Sequence, residues 1–178
     1  MKLWHAVTGL TVVLTLVACK SPTPPKGVKP VDNFEADNYL GKWYEIARLD
    51  YYFERGLDNV TADYALNKDG TLRVVNRGYD PEKMKWKESE GKAVFVEAKN
   101  VAALKVSFFG PFYAGYNVIA IDPDYKYALV SGQNRDYLWI LSRTPDIPTS
   151  VKIKYLEIAK EYGFPINKLI WVKHDRHN

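Results

Sequence analysis

The chain has 178 residues, 47% hydrophobic and 26% charged, with a formal net charge of +4. That length gives one domain with room for a sizeable core, and the composition is that of a globular chain rather than a disordered one. Lysines and arginines are interleaved with acids and form no stripe, which argues against a nucleic-acid partner. Aromatics reach 14%, led by thirteen tyrosines. Such a content favours β-structure with large inward side chains, or a pocket lined by rings.

Lys2 gives a positive start, and Val7 to Val17 is an apolar run too short to span a bilayer. It ends in Leu16-Val17-Ala18-Cys19, which resembles the lipobox of bacterial lipoproteins. The resemblance implies that residues 1–18 are removed and that Cys19, the only cysteine, is acylated. Each buried methylene adds roughly 0.8 kcal/mol, so the anchor would hold stably. Lys20 stands where an inner-membrane lipoprotein tends to carry aspartate, so the resemblance implies the bacterial outer membrane. Ser21 to Pro30 holds Pro22, Pro24, Pro25 and Pro30 and reads as an extended tether within residues 19–32.

A glycine two residues before a tryptophan opens the next stretch, Gly41-Lys42-Trp43-Tyr44-Glu45-Ile46-Ala47-Arg48. Alternation places Trp43, Glu45 and Ala47 on one face and Tyr44, Ile46 and Arg48 on the other. Further strands are expected at Val60–Leu66, Thr71–Tyr79, Lys85–Glu97, Val101–Phe109, Tyr116–Asp122, Tyr125–Gln133 and Arg135–Arg143. Asn67-Lys68-Asp69-Gly70 is a hairpin turn, and Gly91 inside a long strand suggests a bend or bulge. Phe108-Phe109-Gly110-Pro111-Phe112-Tyr113 is unusually apolar for a hairpin, as at a ligand mouth, a membrane contact or a subunit interface.

After Pro148 the period becomes helical through Val151, Tyr155, Ile158 or Ala159, and Tyr162, with Gly163 as a stop. Leu169 to Val172 reads as a short last strand. The sum is an all-β domain over 33–173: an eight-stranded up-and-down antiparallel β-barrel with one C-terminal helix outside, followed by a polar tail over 174–178.

At this point the residues resemble the lipocalins, and within them the bacterial branch that carries a lipoprotein signal. The likeness rests on Gly41 and Trp43 at the first strand, on Asp122 and Tyr125 in the turn before strand seven, and on Arg143 at the end of strand eight. It implies that the Arg143 guanidinium lies across Trp43 and closes the barrel floor.

An eight-stranded barrel is wide enough for one small ligand. Tyr137, Trp139 and Leu141 share a face with Arg143, and with Leu72, Val74, Leu104, Val106, Phe108, Tyr116 and Val118 they would form an apolar cup. Tyr113 joins them at the mouth. Asn76 and Glu45 are the polar candidates: Asn76 to orient a head group, Glu45 to pair with an arginine or carry a raised pKa. Burying a sixteen-carbon chain is worth on the order of 10 kcal/mol. The expected ligand is therefore a fatty acid or a lysophospholipid, held for storage or transport of membrane lipids. A rim that binds an envelope partner or a second copy is the competing reading, with a lipid-acting enzyme behind it. No Gly-x-Ser-x-Gly or His-Glu-x-x-His motif is present, and His174 and His177 fall in the tail, so neither catalysis, a metal nor a cofactor is expected.

Overall fold

A computed structural model describes residues 21–176. The expected signal over 1–18, the anchor at Cys19 and the tail residue His177 lie outside the described residues. Eight strands follow one another: β1 (Gly41–Arg48), β2 (Asp58–Leu66), β3 (Leu72–Asp80), β4 (Lys85–Phe95), β5 (Ala103–Phe109), β6 (Phe112–Ile121), β7 (Tyr127–Ser131) and β8 (Leu138–Ser142). Each pairs antiparallel with its successor, and β1 also pairs with β8, so the sheet closes on itself. The expected up-and-down barrel is the fold.

Two hydrophobic clusters follow from the alternation. One fills the lower barrel around Trp43, Tyr64, Leu72 and Leu104. The other lies outside, where α2 (Thr149–Glu161) buries Tyr155 and Ala159 against Ile46, Leu129 and Ile140. Pro148 caps α2 and Gly163, at φ +78°, ends it. A shorter helix, α1 (Ala36–Tyr39), leads into β1.

The sequence reading of β1 needs a correction. Its ladder with β8 slips between Glu45 and Ala47, so Ile46 and Ala47 both reach the outer cluster while Glu45 and Arg48 turn inward. One extra residue exchanges the expected faces of Ala47 and Arg48. The slip sits where β1 changes partner. Gly41 to Tyr44 pair with β2, whereas Ala47 and Arg48 pair with β9 (Ile170–Trp171), which fills the gap as β2 splays away.

Gly91 is no bulge. It pairs in register with Val74, and a Cβ there would stand 2.7 Å from the Ser107 carbonyl oxygen and from the Phe108 ring. The glycine permits close approach of β4 and β5.

Both ends of the described segment, 21–176, pack on the barrel. Pro25 and Val28 are buried, the Val31 amide donates to Val118 and its carbonyl accepts from Ala102, and Arg135 holds the Lys26 carbonyl at 2.8 Å. The segment expected as an extended tether therefore lies along the barrel wall from Ser21 onward. At the other terminus His174 bonds the Glu45 carbonyl at 2.8 Å, and the Asn59 side-chain oxygen accepts from the Asp175 and Arg176 amides.

Candidate functional site

The barrel is shut at one end by the residues that carried the resemblance. Gly41 adopts φ +87°, a left-handed turn that favours glycine and leads from α1 into β1. Trp43 is 0% exposed, and its indole N–H donates to the Tyr39 carbonyl at 2.8 Å. Arg143 lies 3.9 Å from the centre of that ring and donates to the carbonyls of Tyr125 (3.1 Å), Lys42 (2.9 Å) and Asn38 (2.8 Å). Asp122 accepts the Lys126 and Tyr127 amides, while the Tyr125 hydroxyl accepts the Glu35 amide at 2.8 Å. One guanidinium thus ties three chain segments beneath the indole.

Above this floor lies a cavity of about 570 Å³, a size that takes one small ligand. Leu72, Val74, Leu104 and Val106 line its wall, with Phe108, Tyr116 and Leu141. Tyr137 and Trp139 line the upper part, and Tyr113 stands at the lip with Lys105 Nζ 5.0 Å from its ring. Val118 is the exception among the expected residues. It is fully buried in the cluster that fills the lower barrel and is not among the residues that line the cavity.

Several lining residues were not among those expected from the sequence. Tyr39 and Tyr64 place hydroxyls 2.6 and 2.8 Å from that of Tyr116, forming a chain of three phenols near the bottom. Burial raises the pKa of all three, so they remain neutral donors and acceptors. Alternation along β2 could have placed Tyr64, whereas Tyr39 comes from α1. Tyr51, Phe53 and Glu54 come from the β1–β2 loop, which folds over the opening.

Glu45 lines the cavity at 4% exposure, and its Oε1 accepts from Arg48 Nη1 at 2.7 Å. Burial pushes its carboxyl well above the ordinary carboxylate range, the nearby Glu54 charge pushes it further, and Arg48 pulls it only partly back. Burial also raises Glu54, against the pull of the Trp139 indole N–H, which donates to it at 3.0 Å. Arg48 Nη2 donates to the carbonyls of Glu54 and Leu57, so the same side chain pins the loop. Asn76 lines the wall, and its Oδ1 has no hydrogen-bond partner among the described residues. The arrangement is a largely apolar well with phenol hydroxyls near its bottom and further polar side chains, Glu45, Glu54 and Asn76 among them, on its wall. It can enclose a hydrocarbon chain and satisfy a few polar atoms.

A barrel closed below and open above, with an apolar interior, defines a β-barrel carrier of one small ligand. Residues 34–174 match the lipocalin-like domain, and the chain belongs to the lipocalin family. It is 58% identical to outer membrane lipoprotein Blc of Citrobacter freundii over 173 residues, 97% of this chain and 98% of that protein. The Blc of Vibrio cholerae is 56% identical over 150 residues, 84% of this chain and 88% of that one. Apolipoprotein D of Rattus norvegicus is more distant, at 34% over 147 residues, 77% of this chain and 74% of the other. Among solved structures, insecticyanin of Manduca sexta aligns with a TM-score of 0.68 at 20% identity, covering 88% and 89% of the two chains, which speaks for the fold alone.

Proposed function

We propose that this lipocalin is an outer-membrane lipoprotein, acylated at Cys19, that holds a single-chain lipid, a fatty acid or a lysophospholipid, in its barrel. The observation that carries the reading is the cavity itself: a largely apolar well whose wall also carries polar side chains, Glu45, Glu54 and Asn76 among them. Hydrocarbon would occupy the space between Leu72, Val74, Leu104 and Val106. The head group would meet the unpartnered Asn76 oxygen and the acid pair. The names of the bacterial relatives support the address, and the lipobox-like sequence supports the anchor.

A bilayer offers hydrocarbon the same gain, roughly 0.8 kcal/mol per methylene, so the cup competes best for lipids with one chain, which leave membranes readily. Binding rather than turnover is the role, in storage or transport. Native mass spectrometry of delipidated protein titrated separately with oleate and with a lysophospholipid tests it. One-to-one adducts and a change in tryptophan fluorescence are expected, since Trp139 lines the cavity. No adduct with either lipid refutes the reading.

A further inference from the structure

The bottom of the cavity carries polar groups that a plain hydrocarbon end leaves unused. Tyr39 comes from α1, Tyr64 from β2 and Tyr116 from β6, and all three line the cavity. Tyr39 packs on Trp43 of the floor, with ring centres 4.8 Å apart, and on Tyr64 at 5.2 Å. The three hydroxyls converge. Tyr64 donates to Tyr116 at 2.8 Å, and Tyr39 and Tyr116 share a bond of 2.6 Å. None of the three bonds any other group among the described residues.

The proton count decides what this trio can do. Each phenol brings one O–H and two acceptor lone pairs. Three protons serve two bonds, so one O–H is left over. It sits on Tyr116 when Tyr39 donates and on Tyr39 when Tyr116 donates. The charges of Glu45 and Glu54 reach Tyr64, whose proton is already given to Tyr116, whereas the positive charge of Arg143 reaches Tyr39. The spare donor therefore belongs to the Tyr39–Tyr116 pair and not to the phenol that the acids act on. Its surroundings are the hydrocarbon of Leu72, Val74 and Leu104. A buried donor without an acceptor is costly, and three phenylalanines would fill the space without that cost.

We propose that the three phenols form a second polar subsite, which takes an acceptor oxygen carried by the far part of the ligand's chain. The ligand class is a single-chain lipid with a hydroxyl or carbonyl oxygen near its chain end. This deepens the reading given above and rests on it, since it needs a lipid seated with its chain between Leu72, Val74, Leu104 and Val106. A carbonyl oxygen accepts the spare proton, and a hydroxyl can also donate to the remaining lone pairs. The same bonds fasten α1 to β2 and β6, but a fastening role alone ranks the ligands the other way. With nothing offered to the chain end, an oxygen there loses its water without replacement and weakens binding.

Three lysophosphatidylcholines of equal chain length test this: palmitoyl, ω-hydroxypalmitoyl, and a chain with a keto oxygen next to its terminal methyl. Delipidated protein is mixed with equimolar amounts, and native mass spectrometry reads the ratio of adducts. A well without the subsite would disfavour the oxygenated chains by about tenfold or more. Here they are expected to bind within about threefold of the palmitoyl lipid. In the triple variant Tyr39→Phe, Tyr64→Phe and Tyr116→Phe, the ratio should swing by about tenfold towards palmitoyl, with thermal unfolding checking that the barrel persists. The ratio is what is read, so a general change in affinity does not imitate the effect. Native protein that rejects both oxygenated chains tenfold overturns the inference, and so does an unchanged ratio in the folded variant. No adduct with any of the three lipids removes the reading of the cup itself, whereas binding of the palmitoyl lipid alone removes only the subsite.

Discussion

The most consequential residue in the cavity is Glu45, a buried acid held against an arginine and beside a second acid. Its carboxyl titrates above the ordinary 4.5, so in the fold it keeps a proton that the unfolded chain gives up. Stability contributed in this way is present at low pH and falls as pH rises from about 4.5 through the raised value. Asp175 works in the opposite sense. Lys173 and Asn59 lower it to about 2, so its contribution is present above 3.8 and fades as pH drops through the lower value. Glu45→Gln imitates the protonated acid and should remove the first trend alone. The melting-temperature difference between variant and native protein is expected to move in favour of the variant from pH 4.5 upward. A difference independent of pH would count against the assignment. At the floor, Arg143→Lys keeps the charge but loses the planar fork that meets three carbonyls and the Trp43 face. A loss of about 2 kcal/mol is expected in denaturant unfolding.

Among the elements, strand number, order and the outer helix were legible because alternation and turn chemistry repeat over many residues. β1 shows where that legibility stops. Its first half obeys strict alternation, but the extra residue at Ile46 belongs to a ladder with β8 that only the assembled barrel defines. Arg48 was consequently expected outside and is found at 2% exposure inside. Gly91 was visible as an exception, yet its cause is a contact with Ser107 and Phe108 on the neighbouring strand. Gly91→Ala should therefore force β4 from β5 at a cost of about 1–3 kcal/mol, seen as a lower denaturation midpoint. It should also weaken lysophospholipid binding by moving the Phe108 ring that lines the cavity.

On the scale of the whole molecule, the cavity wall was readable where inward positions fall on regular strands, as with Leu72, Val74, Leu104 and Val106. It was unreadable where loops and termini supply the lining. Glu54, Tyr51 and Phe53 reach the opening on a connection with no periodicity, and the strap packed on the wall was marked only by its proline content, as a spacer. That strap places a mechanical constraint on the protein. Arg135 grips the Lys26 carbonyl at 2.8 Å and the Tyr162 carbonyl at 2.6 Å, so one side chain buttons the leading segment and the end of α2 to the β7–β8 turn. A tug on the fatty leash would load this button first and spare the strands behind it, and Arg135→Ala should let the leading segment peel at lower force in single-molecule pulling.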